Sequence, residues 1–175
     1  ADFVHLPFND REAWQSGLRQ SGDALAAVIV EPMVEVIAEV EWLRDLRAHC
    51  DRVGAVLIFD EVKTGFRINR AGAQSVLGVT PDLTTFGKAL ANGYPLAAVA
   101  GQERVMRAAS STWISSTLAT ELTGLAAAHA VLDQHERRDV CSELHVHGRH
   151  LRSAIERASD DSGVPLSTRG HDTMF

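Results

Sequence analysis

A chain of 175 residues, 45% of them hydrophobic, is long enough to bury one sizeable core and fits roughly one domain. The net charge of -6, without a cluster of basic residues, gives no footprint for nucleic acid or for an anionic membrane. The longest apolar runs, 24–30 and 55–59, are far shorter than the ~20 residues that a membrane-spanning helix needs. No secretory signal is visible. Cys50 and Cys141 stand alone without CxxC spacing, which is typical of reduced core residues, so we expect a cytoplasmic protein.

Four short apolar runs predict the β-strands of the fold. Their apolar residues follow one another without polar alternation, which is typical of strands that helices cover on both faces. The sequence therefore predicts an α/β fold with a mostly parallel sheet flanked by helices, and its strands are expected at 26–30, 55–60, 83–86 and 96–100.

The segment between the first two strands predicts an amphipathic crossover helix. Gly54 is the kind of residue that ends such a helix. The apolar side chains recur at steps of three and four residues, at Val40, Leu43, Leu46, Cys50 and Val53. By contrast, residues 87–95 between the third and fourth strands are too few for a crossover helix, so these two strands are expected to be antiparallel.

The last third of the chain predicts helices. Residues 102–109 predict a short helix and 110–117 a loop, while 119–134, rich in alanine and leucine, predicts a mostly buried helix. Residues 139–159 predict a second long helix, able to link two domains, with one face formed by Val140, Leu144, His147, Leu151 and Ile155. The sequence begins without methionine and stops at 173–175, where an apolar strand is expected to start, so we interpret it as a segment of a larger enzyme.

Lys88 and Asp60 are the first two candidate site residues. Lys88 follows Gly87 just after the third predicted strand, where its amine can be presented to an aldehyde. Asp60 closes the second strand, at the edge where open α/β sheets bind ligands, and its charge can hold a cationic ring nitrogen. Taken alone, Asp60 also fits a cap of the following loop and Lys88 a solvated turn residue. Together they indicate pyridoxal phosphate chemistry.

The third candidate element is Ser115-Ser116-Thr117. Their hydroxyl groups precede a predicted helix, and the free N–H groups at a helix N-terminus suit a phosphate. Simple capping of that helix by Thr117 is the alternative that the local sequence favours.

Several motifs in a fixed order resemble one enzyme family. They are Glu31-Pro32, DEVKTGFR at 60–67, GAQ at 72–74, PDLTTFGK at 81–88, GYPLAAVAG at 93–101 and Ser115-Ser116-Thr117. This set is similar to the class III aminotransferases, a family of fold-type I pyridoxal phosphate enzymes. Within the family it most resembles the glutamate-1-semialdehyde aminomutase branch. The resemblance extends over most of the chain.

The resemblance implies a role for each matching residue. Lys88 is expected to link covalently to the cofactor and to shuttle a proton, and Asp60 to pair with the pyridinium nitrogen. Val62 is expected to pack on a face of the ring, and Glu31 to give polar support near the cofactor. Ser116 and Thr117 are expected to bind the cofactor phosphate in the site of a neighbouring subunit. The family therefore implies a homodimer with shared active sites and an amino acid or amino-ketone substrate.

The departures from the family pattern leave the reaction open. Lys63 stands where many of these aminotransferases carry glutamine. This departure favours the aminomutase branch, but it does not decide between aminotransferase and aminomutase. On the family pattern, residues 1–138 are the central part of the large cofactor-binding domain. Residues 139–175 are then the connecting helix and the start of a small domain. The alternative function is a catalytically inactive truncated relative that acts as a dimerising or partner-binding module.

Two further groups of polar residues carry less weight. The histidines at 145, 147 and 150 are dense, but only His147 and His150 share a helical face, so no metal site is expected. Arg67 could contact a substrate carboxylate, although an ion pair that fixes its own loop is the favoured interpretation.

Overall fold

The secondary structure is that of an α/β fold, given by a computed structural model that describes residues 3–21, 24–119 and 121–175. The strands are β1 (Ala27–Val30), β2 (Val56–Asp60), β3 (Leu83–Phe86) and β4 (Ala98–Gly101). The α-helices of this part of the chain are α1 (Arg11–Ser21), α2 (Val40–Val53), α3 (Ala73–Leu77), α4 (Glu103–Met106), α5 (Leu122–Arg137) and α6 (Val140–Ser162). Turns of 3₁₀ helix cover Lys88–Leu90 and Arg107–Ser111.

The four strands form one sheet in the order β1-β2-β3-β4. The first three strands are parallel, and β4 runs antiparallel to β3, as its short connection predicts. Val30 lies opposite Phe59, and Asp60 lies opposite Thr85. Because β1, β2 and β3 all end at one edge, the residues that follow them gather there.

The predicted bounds agree closely for β3 and for the crossover helix. Helix α2 spans Val40–Val53 and ends at Gly54, whose φ of 74° is left-handed and whose N–H donates to the Cys50 carbonyl. Strand β4 begins two residues later than predicted, at Ala98. The reason is local: Leu96 donates its N–H back to the Tyr94 carbonyl at 2.9 Å, which keeps the chain in a turn at Pro95.

The main core lies between one face of the sheet and helices α1 and α2. Leu57 and Phe59 of β2 are fully buried against Trp14 and Leu43, among other apolar side chains. The cysteines are free and buried, as predicted, and burial raises the pKa of the Cys50 thiol to about 11. None of the helices in the described residues is long and apolar enough to cross a membrane.

The opposite face of the sheet stays partly open. Ile29 is 66% exposed and Val99 52% exposed, so the expectation of helices on both faces holds for one face only within the described residues. A continuous apolar run predicts that a strand is suited to burial, but it does not supply the element that covers it.

Helix α5 differs from its prediction in position and burial. It begins at Leu122, and only Gly124, Ala128 and His135 are buried, while Leu122 is 76% exposed. The prediction of a mostly buried helix was wrong because an alanine- and leucine-rich composition favours a helix without specifying what packs on it.

Helix α6 packs through a face that apolar periodicity did not indicate. Leu144 and Leu151 of the predicted face are exposed, whereas Cys141 is buried and Arg152 half-buried. The reason is the C-terminal segment 168–175, which is held to α6 by polar contacts. Asp172 accepts from Arg152 Nη1 at 3.1 Å, and its backbone passes so close to Gly148 that a Cβ there would collide. This segment forms a single bridge between His171 and Met174 rather than the strand that was predicted.

Asp82 is a fully buried carboxylate that ties two helices to the sheet. It accepts from the Leu57 N–H of β2 at 2.8 Å, from Arg47 Nη1 of α2 at 2.8 Å, and from Arg104 of α4. Burial alone raises the pKa of Asp82. The Leu57 hydrogen bond and the two guanidinium groups outweigh burial, so the pKa is held below its usual value.

Candidate functional site

Three of the predicted site residues follow neighbouring parallel strands at one edge of the sheet. Glu31 comes directly after β1, Asp60 is the last residue of β2, and Lys88 follows β3 after Gly87. This edge carries the carboxyl ends of the strands, where open α/β sheets bind ligands. The structure therefore places Lys88 and Asp60 on adjacent strand ends, as the sequence predicts.

Asp60 presents one oxygen to the protein and leaves the other free. The half-buried carboxylate accepts through Oδ1 from the Val62 N–H at 3.0 Å and from Thr85 Oγ1 at 3.1 Å. Oδ2 has no hydrogen bond or ion pair with any residue that the structure describes. The loop-capping interpretation thus holds for Oδ1, while Oδ2 has no partner in the described part of the chain.

Lys88 begins its turn with a strained backbone. Its φ of 42° is left-handed, which is uncommon for a residue with a side chain and is concentrated at functional sites. The side chain is exposed and has no hydrogen bond or ion pair within the described chain. Beneath it, Leu90 and Ala91 are buried against Ala128 of α5, and this small cluster anchors the turn.

Val62 lies beside the residue that precedes Lys88. A Cβ added at Gly87 would stand 3.3 Å from Val62 Cγ1, tighter than an ordinary contact, so glycine lets the turn pass close to the valine. Gly65 lies in the segment after β2, where a Cβ would stand 2.6 Å from Phe86 Cδ1. Glycine therefore lets this segment pass close to the end of β3. The segment after β2 is thereby packed directly against the end of β3.

Glu61 is a structural residue whose role the sequence did not reveal. Its fully buried carboxylate accepts from Thr64 Oγ1 at 2.6 Å, from the Ala73 N–H at 2.6 Å and from the Gln74 N–H at 3.0 Å. Gly72, with φ of 77°, leaves the space that this carboxylate occupies. These contacts join the DEVKTGFR motif at 60–67 to the GAQ motif at 72–74. In the sequence, the only sign of these contacts was that both motifs occur.

Ser116 and Thr117 do not lie at the helix N-terminus where they were predicted. Both are exposed in a loop, and α5 begins five residues later with Glu121 as its cap. The Glu121 carboxylate accepts from the Thr123 N–H at 2.8 Å and the Gly124 N–H at 2.6 Å. A side-chain hydrogen bond from Thr123, together with these two, lowers the pKa of Glu121. Capping of this helix by Thr117 was therefore wrong, because Glu121 binds two of its first N–H groups. Phosphate binding by Ser116 and Thr117 stays a prediction.

The loop that contains Arg67 is held by aromatic contacts instead of the expected ion pair. Among the described residues Arg67 has no ion-pair partner. Phe66 adopts a left-handed φ of 61°, and its ring lies 5.5 Å from that of Phe86 and 5.6 Å from that of His135. Burial, and then the charge of Arg70, lower the pKa of His135.

The histidines of α6 differ in their surroundings. His145 contacts the Ile68 carbonyl through Nε2 at 3.1 Å, and its ring lies 4.4 Å from that of His171, while His147 and His150 are exposed. Within residues 3–21, 24–119 and 121–175, no group of side chains is arranged to hold a metal ion. A shallow recess of about 410 Å³ at the α5–α6 junction contains none of the predicted site residues.

Comparison with known proteins decides the family. A family profile described as aminotransferase class-III matches residues 4–175. The chain belongs to the class III aminotransferase family. The resemblance stated from the motifs is thus confirmed, and so is the fold class.

Curated class III relatives cover nearly all of this chain. Glutamate-1-semialdehyde 2,1-aminomutase of Pyrobaculum calidifontis is 37% identical over 98% of the chain and 41% of the relative. 3-Aminobutyryl-CoA aminotransferase of Cloacimonas acidaminovorans is 35% identical over 97% of the chain and 42% of the relative. The chain therefore spans about two fifths of the length of the curated relatives it matches.

Solved structures of the family superpose on the fold. The PLP internal aldimine form of the FumI protein from Sphingopyxis sp. MTA144 matches with a TM-score of 0.90 and 28% identity, over 97% of this chain and 42% of that one. An omega-transaminase from Sphaerobacter thermophilus matches with a TM-score of 0.80 and 34% identity, over 97% and 40% of the two chains.

Proposed function

We propose that this chain supplies the cofactor-binding centre of a pyridoxal phosphate enzyme that transfers amino groups, as part of a longer protein. The observation that carries the proposal is the pair of free groups on adjacent strand ends. The Lys88 amine and Asp60 Oδ2 both lack partners within the described residues, and both follow strands that end at one edge of the sheet. An unpaired amine and a free carboxylate oxygen are what an aldehyde-bearing pyridinium ring requires, so the residues fit the cofactor.

Each predicted residue has a distinct role in this proposal. Lys88 anchors the cofactor through Nζ and, when a substrate amine releases it, accepts and returns a proton at the same atom. Asp60 Oδ2 holds the cationic ring nitrogen, Val62 packs on a face of the ring, and Glu31 gives polar support. When bound, pyridoxal phosphate supplies an electron sink for negative charge at the substrate carbon.

Ser116 and Thr117 are proposed to bind the cofactor phosphate in the partner subunit of a homodimer. Both side chains are exposed, and among the described residues no hydrogen bond joins either of them to Asp60 or Lys88 of the same chain. The same loop carries Trp113, 93% exposed, and Ile114, 73% exposed, and apolar surface of this kind favours an interface.

Mixed dimers test this shared site. Combining Thr117→Ala subunits with Lys88→Ala subunits gives heterodimers in which one site lacks both residues and the other retains both. We expect turnover to return partly in purified heterodimers, up to about half per dimer, while each parent homodimer remains impaired. Loss of the hydroxyl should weaken binding of the charged phosphate by about 1.5–3 kcal/mol. Verified heterodimers that show no recovery would remove Thr117 from the partner's site.

The substrate is proposed to be a small molecule, either an amino acid or an amino-ketone, and the protein is proposed to act in the cytoplasm. The relatives include both an aminomutase, which by name moves an amino group within one molecule, and an aminotransferase. Lys63 stands where many aminotransferases of this class carry glutamine, which favours the aminomutase branch.

An isotope-labelled amino nitrogen distinguishes these reactions. The protein, loaded with pyridoxal phosphate, is incubated with a labelled amino compound and an unlabelled keto-acid acceptor. We expect the label either in the acceptor, as in a transaminase, or on an adjacent carbon of the same molecule, as in an aminomutase. A folded, cofactor-saturated protein that moves no label with a panel of amino acids and amino-ketones would contradict the enzymatic function and favour the inactive relative.

A further inference from the structure

Thr84 and Thr85 are consecutive threonines with different partners. Thr84 is buried, and its Oγ1 accepts from Gln74 Nε2 at 3.2 Å. Thr85 is half-buried on the opposite face of β3, and its Oγ1 donates to Asp60 Oδ1 at 3.1 Å. Only the second threonine reaches the candidate cofactor site.

The Thr85 contact comes from a different strand from the carboxylate it holds. Thr85 is the register partner of Asp60 across the β2–β3 pair, and its carbonyl also accepts the Glu61 N–H at 3.0 Å. The other donor to Oδ1, the Val62 N–H, belongs to the loop that follows Asp60. Two donors from two elements, converging on one oxygen, restrict rotation of the carboxylate and leave Oδ2 on its free side.

We propose that Thr85 is a positioning residue that aims Asp60 Oδ2 at the ring nitrogen of the cofactor; the inference rests on the proposed function. Its hydroxyl donates its single proton to Oδ1, so that oxygen is occupied before the cofactor arrives. The carboxylate then meets the ring nitrogen through Oδ2 in one orientation, without first losing rotational freedom. Preorganisation of this kind increases affinity by reducing the entropy that binding must remove.

Three variants separate positioning from simple strand stability. Thr85→Val keeps the β-branched shape but loses the hydroxyl, and Thr85→Ser keeps the hydroxyl. Thr84→Val makes the same change one residue earlier, without contact with Asp60. We expect the dissociation constant of pyridoxal phosphate, measured by quenching of tryptophan fluorescence, to rise about tenfold in Thr85→Val, equivalent to about 1.4 kcal/mol. Thr85→Ser should recover most of that loss, and Thr84→Val should lower stability without changing affinity.

A second measurement needs no cofactor. Scalar couplings in the cofactor-free protein report the χ1 rotamer of Asp60, and we expect one rotamer in the wild type and Thr85→Ser but averaging in Thr85→Val. A wild-type protein that binds no pyridoxal phosphate would contradict the proposed function. The χ1 rotamer of Asp60 would still show whether Thr85 fixes the carboxylate. A single Asp60 rotamer in Thr85→Val, or wild-type affinity in that variant where the wild type binds, overturns the positioning role.

Discussion

Replacing Lys88 with alanine is expected to abolish covalent labelling of the protein by pyridoxal phosphate and borohydride. Within residues 1–175 the lysines are Lys63 and Lys88, so labelling of this part of the protein is a choice between two peptides. Lys88 is the exposed amine that follows the strand next to Asp60, and reduction should trap the cofactor there. Turnover, in the protein that shows it, should fall by about 10²–10⁴-fold, because that is what a group that moves the proton contributes.

Lys63→Ala is the matched control. It removes the other lysine from the loop after β2, and we expect the label to remain on Lys88 with the wild-type stoichiometry. Peptide mapping by mass spectrometry checks both variants. Label on Lys63 in the wild type, or unchanged labelling in Lys88→Ala, would remove Lys88 from the centre of the proposed chemistry.

Replacing Asp82 with alanine is expected to lower the free energy of unfolding by about 3 kcal/mol or more. Removing one partner of a buried ion pair costs about 3–5 kcal/mol, because the other charge is left without compensation. Here that charge is Arg47, whose side chain is 18% exposed and keeps only the exposed Asp51 as an ion-pair partner, and the Leu57 N–H also loses its acceptor. Urea unfolding followed by circular dichroism measures the loss.

The exposed partner of Asp82 provides the control. The Arg104 side chain is 60% exposed, so Arg104→Gln should cost no more than about 1 kcal/mol. Equal losses for Arg104→Gln and Asp82→Ala would contradict the view that the buried Arg47–Asp82 pair carries the stability.

The acid sensitivity of the fold should change with Asp82 as well. The pKa of Asp82 is held below its ordinary value of 3.8, so the ionised group stabilises the fold above that pH. This contribution is lost as the pH falls through the lower, folded-state pKa. Asp82→Ala should therefore unfold with a shallower dependence on pH below about pH 4 than the wild type. If Asp82→Ala showed the same pH dependence of unfolding as the wild type in this range, other carboxylates would control the acid sensitivity.

Local pattern was sufficient wherever the structure depends on neighbours in the chain. The three- and four-residue periodicity predicted α2 from Val40 to Val53, and Gly54 ends it in the left-handed conformation that glycine adopts readily. The short connection after β3 predicted the antiparallel β4. The ordered motifs identified the family, and with it the candidates Lys88 and Asp60 at adjacent strand ends.

Burial and hydrogen-bond partners depended on segments that are distant in sequence. The alanine-rich α5 was predicted to be buried, yet Leu122 and Leu125 remain exposed, because helix propensity does not determine what packs on a helix. Thr117 was predicted near a helix N-terminus, but the first N–H groups of α5 are already bound by the Glu121 carboxylate. A carboxylate two and three positions before the N–H groups that it caps is a local signal, and it predicts the start of α5 better than the hydroxyls upstream.

The sequence by itself determined the four strands, the crossover helix, the helices of the last third of the chain, the family and the two groups proposed for the chemistry, because each depends on residue type at short spacing. Helices α1 and α3 were not predicted. Only the tertiary structure decided that the two consecutive acidic residues, Asp60 and Glu61, have different roles. Asp60 keeps one oxygen free, while Glu61 is fully buried and joins the segments on both sides of the loop. The contacts responsible, from Thr85 to Asp60 and from Ala73 to Glu61, join positions that only the packing of β3 and α3 against β2 brings together.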